Sequence, residues 1–287
     1  MGDNALGRFL RARREATDPA KAGPSTGPRR TPGLRRAELA ALADISVEYL
    51  TRLERGRDRR PSGQVLGALA DALDLSPDER VHLHRLTKTG DGAVCPQAGL
   101  PERRLRPTVR ALLDRLEPTP AYVVAPDGDV LAGTAGFRLL AGPLGLLDGD
   151  APNLVRFAFT DPRARGAYPD WSGVADARAA ALRAAADLGD PWAAALAEEL
   201  HVTAGAEFGR RFAGAARLPG HVGVERWAHP TAGRLALAYE SLALPGAEDH
   251  RLVVHLPADQ DTAAALDGLG SFGTPGPEVV VPARARD

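Results

Sequence analysis

Cysteine is almost missing from this 287-residue chain, which holds Cys95 and no other. One thiol forms no intramolecular disulfide and no thiolate metal site, which excludes a disulfide-stapled secreted scaffold and a zinc ribbon and fits a reducing cytosol. Long apolar runs are missing as well, none approaching the roughly 18 residues of a membrane-spanning helix. The stretch from Met1 to Leu6 has no basic segment leading into an apolar one and no Ser or Thr at its sixth position. Neither a secretory signal nor myristoylation is expected, and the protein is expected to be cytoplasmic, off the membrane. There is no glycine-rich dinucleotide loop and no Walker A loop. His82 and His84 point different ways on a helix, and His201, His221, His229, His250 and His255 lack metal-ligand spacing. Glu198 and Glu199 are adjacent and diverge, so they make no catalytic carboxylate pair. Gly23-Pro24-Ser25-Thr26-Gly27 has the letters of a nucleophile elbow, but no strand precedes it. The expectation is no catalytic residue, no metal, no cofactor and no enzyme. The alternative, a small-molecule enzyme with a regulatory helical head, would need a convergent acid, base or nucleophile constellation.

What is present is ordinary globular composition, 44% hydrophobic and 25% charged, over a length that favours two domains. The net charge of -1 conceals a division along the chain. Residues 1 to 90 hold 17 Lys and Arg against 12 Asp and Glu, whereas the remainder holds 19 against 25. A basic N-terminal unit beside an acidic larger one suggests that the first meets a polyanion.

Leu6, Phe9 and Leu10 have the spacing of an amphipathic first helix. The basic stretch Thr17 to Gly33 reads as a loop, and no helix is expected before Pro32-Gly33 has passed. Helices follow from Leu34 to Ala43 and from Ser46 to about Gly56, then two more start at Ser62 and Ser76, each Ser a good N-cap. Residues 91 to 106 read as a linker. Val109 to Leu116 is a helix, and Ala121 to Ala125 with Val130 to Ala132 form a hairpin around Pro126-Asp127-Gly128-Asp129. The middle, about 134 to 217, reads as several helices. Val222 to Trp227, Leu235 to Leu244 and Arg251 to Leu256 form an antiparallel meander, and residues 273 to 287 a flexible tail.

The segment Leu34 to Gly56 has the features of a helix-turn-helix. Leu39, Ala43, Ile45, Leu50 and Leu53 offer a shared apolar seam, Ala40 is small where two helices approach, and Asp44 stands at the sharp turn, where left-handed backbone is expected. Val47, Glu48, Thr51 and Arg52 fall opposite the seam near the start of the second helix, where base contacts occur when such a helix enters the major groove of double-stranded DNA. Arg52 is able to bond bidentately to guanine. Arg35, Arg36, Arg57, Arg59 and Arg60 flank the motif as phosphate contacts. A protein-docking role for these helices is the weaker alternative.

The run "TPGLRRAELAALADISVEYLTRLERGRD" from Thr31 to Asp58 resembles the helix-turn-helix of Xre/Cro-type regulators. With "NLVRFAFTDPRARGAYPDW" from Asn153, "EELHVTAGAEFGRRF" from Glu198 and "VERWAHPTAGRLALAYESLALP" from Val224, the chain resembles the MmyB-like regulators of actinobacteria. One departure is Gly133-Thr134, where that family commonly has Trp-Asn. The resemblance implies an all-α, five-helix DNA-binding domain at residues 3 to 90, then an α/β (α+β) PAS-like domain with an antiparallel sheet at 107 to 272. It further implies a small apolar or fatty-acid-like ligand. Arg156, Phe157, Phe159, Trp171, Phe208, Phe212 and Tyr239 are the pocket candidates, with core packing the alternative role of each aromatic. Arg156, in an apolar segment, is expected to meet a ligand carboxylate or else Asp161, Asp170 or Glu240. A homodimer reading a near-palindromic operator completes the expectation.

Overall fold

The computed structural model describes residues 4–22, 33–58, 60–89, 105–214, 218–244 and 249–270. Two compact units result, one built on the N-terminal helices and one on the sheet. In the first, five α-helices follow one another: α1 (Ala5–Ala16), α2 (Arg36–Leu42), α3 (Val47–Glu54), α4 (Gly63–Ala72) and α5 (Pro77–Thr89). A short 3-10 turn, Pro19–Ala22, interrupts the stretch expected to be loop, because Asp18 accepts the Ala20 amide and Pro19 supplies the required φ. Ser46 and Ser62 cap α3 and α4, and at α5 Ser76 and Glu79 cap each other's backbone reciprocally. Leu6, Leu10, Leu39, Leu50, Leu53, Leu69 and Leu83 fill one core.

The second unit carries eight α-helices and one five-stranded antiparallel sheet among the described residues. After α6 (Pro107–Leu116) come the hairpin strands β1 (Ala121–Val124) and β2 (Val130–Gly133), then α7 (Ala135–Ala141), α8 (Leu154–Thr160), α9 (Ala164–Ala167), α10 (Trp171–Asp187), α11 (Pro191–Thr203) and α12 (Gly205–Gly214). The meander β3 (Val222–His229), β4 (Gly233–Ala243) and β5 (Arg251–Pro257) follows, and α13 (Gln260–Gly270) ends the described chain. Strand order is β2-β1-β5-β4-β3, so the hairpin and the meander join through β1 and β5, with Tyr122 opposite Val253. This is the α/β architecture with an antiparallel sheet that the resemblance implied.

Each face of the sheet has its own core. Val109 and Leu113 of α6 pack with Ala121, Val123 and Leu252 on one side. On the other, Tyr122, Trp227, Leu235, Leu237 and Val253 meet Phe137, Leu140, Phe157 and Val174 from the helices. The Gly133-Thr134 departure has a local reason. A Cβ at position 133 would come within 2.7 Å of the Phe137 ring, which stacks on Tyr122 at 4.3 Å. Thr134 caps α7 by accepting the Phe137 amide, a role that Asn also fills.

Candidate functional site

In the N-terminal unit the turn between α2 and α3 is made by Asp44 at φ 51°, as its position in the sequence demanded, and the Ile45 amide returns to the Ala40 carbonyl at 3.0 Å. Leu39, Ala40, Ala43, Leu50 and Leu53 are buried and Ile45 is half-buried, whereas Val47, Glu48 and Arg52 are exposed and Thr51 is half-buried. The expected seam and the expected outer face thus lie on opposite sides of α3. Arg52 lies 5.2 Å from the Tyr49 ring centre and 3.7 Å from Asp58, contacts that hold its guanidinium beside the helix. Arg57 and Arg60 are exposed, Arg35 is half-buried at the N-cap of α2, and Arg59 lies outside the described residues.

Glu54, the last residue of α3, is fully buried and binds two cations. Its carboxylate accepts from Arg14 Nε at 2.6 Å and from Arg36 Nε at 2.6 Å. Arg14 is buried too and also donates to the Leu34 carbonyl at 2.9 Å. Arg36, expected as a phosphate contact, also joins the start of α2 to the end of α3 within the fold, while its side chain stays 40% exposed. Gly7 lets α1 come this close, because a Cβ there would lie 2.5 Å from the Glu54 carbonyl oxygen.

In the second unit the aromatic candidates divide. Phe157 and Tyr239 belong to the core above the sheet. Phe159, Trp171, Phe208 and Phe212 instead form a helix-borne cluster with His201, in which Phe159 and Phe208 meet edge to face at 5.0 Å. Arg165 and Arg211 lie against the Trp171 ring, at 3.7 and 4.9 Å. This cluster packs α8 against α11 and α12, and the sequence showed only that the rings were numerous there. Arg156 needs correction as well. It pairs bidentately with Glu199, at 2.8 and 2.9 Å, and its side chain is 30% exposed, so its partner within the fold is none of Asp161, Asp170 and Glu240. Arg156 thus joins α8 to α11.

The polar groups that do face the sheet core are others. Glu225 on β3 accepts from Trp227 Nε1 at 2.7 Å and from Arg178 of α10 at 3.3 Å. The charge of Arg178 acts on the Tyr122 and Tyr168 hydroxyls and works against the rise that burial imposes on them. Burial pushes Tyr122 up to about 12 and raises Tyr168 further. Burial opposes the charge of Arg178, but Glu225 outweighs it and the guanidinium is held more firmly protonated. His255 on β5 is 1% exposed, between Trp227 at 5.4 Å and Tyr122 at 5.8 Å. Two buried nitrogens here, Arg178 Nε and His255 Nδ1, have no hydrogen-bond partner among the described residues. A buried polar group left unpaired costs free energy, and a ligand group is one remedy. The signal for this cluster was a Glu and a His on strand positions whose neighbours two residues away, Trp227 and Val253, are core residues.

His255 also sets a pH dependence. Burial, opposed by Glu225 and reinforced by Arg178, pushes it down to about 4 from its ordinary 6.5. The unfolded chain therefore takes up a proton near pH 6.5 that the folded chain refuses until about pH 4, so this contribution is present above that window and is lost as pH falls through it. His82 and His229, also depressed chiefly by burial, act with the same sign. Between pH 7.5 and 5 the loss at His255 should be roughly 2 kcal/mol. Urea unfolding at both pH values should show a smaller loss in His255→Gln than in the wild type; equal losses would contradict the assignment.

Among the described residues no group of three or more His, Cys, Asp and Glu is placed to hold a metal, and no helix is long and apolar enough to cross a membrane. The Gly23 to Gly27 motif and Cys95 lie outside the described residues. The family model described as "MmyB-like transcription regulator ligand binding domain" matches residues 105–269, and a helix-turn-helix domain model matches residues 5–83. A search of curated proteins finds no match.

Proposed function

Since this chain belongs to the family of MmyB-like transcription regulators, we propose that it is a sequence-specific cytoplasmic regulator that reads a near-palindromic operator as a homodimer and responds to a small, largely apolar molecule. The coarser activity, a DNA-binding transcription regulator with a ligand-binding domain, follows from the two domains matched. The observation that carries the finer reading is the exposed face of α3. Val47, Glu48 and Arg52 project from the side opposite the buried seam, beside the cations Arg57 and Arg60. Such a surface suits a helix laid in a major groove, with base edges read near its N-terminal end and phosphates held at the flanks. The head is proposed to span residues 3 to 90 and the sensor 107 to 272.

Two kinds of arginine are distinguished on this surface. Arg52→Ala should cost about 1–3 kcal/mol on the selected operator and relax the preference at one base position. Arg57→Ala should weaken all duplexes alike and reduce the salt slope by about 1. Operators selected from random duplexes, then titrated by fluorescence anisotropy at several salt concentrations, supply the test. Unchanged binding by the Arg52/Arg57 double alanine variant would sink it. Arg36 is unsuited to this experiment, because its loss also disturbs buried Glu54.

For the sensor, support comes from the unpartnered Arg178 Nε and His255 Nδ1 within an otherwise apolar core. A ligand with different affinity for two arrangements of the regulator would shift their populations by that difference, and with them operator occupancy.

A further inference from the structure

We propose that the ligand of the sheet domain is uncharged at its polar end, presenting a carbonyl-type oxygen to Arg178 Nε and a hydrogen-bonding group to His255 Nδ1, and that the site selects against carboxylates. The inference rests on the ligand-binding reading above and adds the chemical class of the ligand. An isolated buried guanidinium would call for an anion. Arg178 is not isolated: Glu225 already supplies its counter-charge at 3.3 Å, and Trp227 Nε1 fixes that carboxylate from the other side at 2.7 Å. The neighbouring groups add no charge. His255 is held neutral by burial down to about pH 4, and burial keeps the Tyr122 and Tyr168 phenols protonated. The cluster is therefore an ion pair set among neutral groups, with one donor, Arg178 Nε, lacking an acceptor, and one imidazole nitrogen lacking a partner.

A carboxylate entering this cluster would bring a second anion near Glu225 without a second cation, and would be stripped of water to do so. An amide, ester or ketone oxygen would satisfy Arg178 Nε at no charge cost. Arg156, the cation that the sequence singled out, cannot redress the balance, since Glu199 holds it at the surface of α8.

Octanoate and octanamide, which share one apolar body and differ at the polar end, are the probes. Isothermal titration of the full chain should show octanamide binding at least about tenfold more tightly than octanoate, the margin expected from burying an uncompensated charge. Glu225→Gln keeps the shape and one acceptor oxygen but removes the counter-charge, so the order of the two probes should reverse in that variant; a thermal melt confirms its fold. Octanoate binding the wild type as tightly as the amide, or an unreversed order in Glu225→Gln, overturns the neutral-ligand proposal and leaves the ligand-binding reading standing. If neither probe binds the wild type and native mass spectrometry shows no co-purified small molecule, the ligand-binding reading itself falls, and this proposal with it.

Discussion

Replacing Glu54 with leucine is expected to destabilise the N-terminal unit by about 3–5 kcal/mol, a large part of what holds a domain of this size folded. The side chain is fully buried, and its two oxygens bind Arg14 from α1 and Arg36 from α2. Arg14 is itself buried, so losing the carboxylate leaves a cation in the core with only the Leu34 carbonyl and Glu15 to offset it. The paired replacement Arg14→Met with Glu54→Leu should recover much of the loss, because two apolar side chains of similar volume avoid the desolvation of both charges. Urea unfolding of the wild type, both single variants and the double variant measures the coupling directly. A Glu54→Leu protein within about 1 kcal/mol of the wild type would remove the carboxylate from this role. Because Glu54 ends α3, whose exposed face is proposed to meet the operator, the same variant should also weaken operator binding at temperatures where the unit is still folded.

Trp227→Ala should have a comparable effect on the sheet unit, about 3–5 kcal/mol. The indole is 1% exposed, meets the Tyr168 ring edge to face at 5.6 Å, and donates to Glu225. Its removal opens a cavity between β3 and the helices and also frees the carboxylate that balances Arg178, so the loss should exceed that of an apolar truncation alone. Phe212→Leu, in the helix-borne aromatic cluster, is the milder comparison. Hydrogen exchange on β3, β4 and β5 should rise in Trp227→Ala and stay near the wild-type level in Phe212→Leu. Equal exchange in the two variants would show that the indole does not organise the sheet.

The N-terminal unit was legible because its determinants are local. Helix caps at Ser46 and Ser62, the left-handed turn at Asp44 and the 3.6-residue spacing of Leu39, Ala43, Leu50 and Leu53 each act within a few residues of chain. The strands of the meander and the hairpin were legible for the same reason. Helix α13 has no counterpart among the elements expected from sequence. Asp259 caps it through the Thr262 amide, and Thr262 Oγ1 accepts the Ala236 amide of β4. That last bond ties residues 26 positions apart, beyond the reach of local pattern.

Strand β3 marks the boundary between the two kinds of information. Alternation along Val222, Gly223, Val224, Glu225 and Arg226 fixes which residues share a face, and by hydrophobicity alone the valines should point inward. They are instead exposed, at 65% and 50%, while Glu225 and Trp227 face the core. Trp227 and His229, both buried, set the register, and Glu225 is carried inward because Arg178, 47 residues earlier, supplies its counter-charge. The sequence by itself therefore determined the N-terminal helices, the strands, the helix-turn-helix face and the family resemblance, all of which depend on near neighbours. The tertiary structure decided which charges meet: Glu54 with Arg14 and Arg36, Arg156 with Glu199, and Arg178 with Glu225. Ion pairing depends on distance through space, and the chain spacing of a charged residue carries no record of the partner that folding brings beside it.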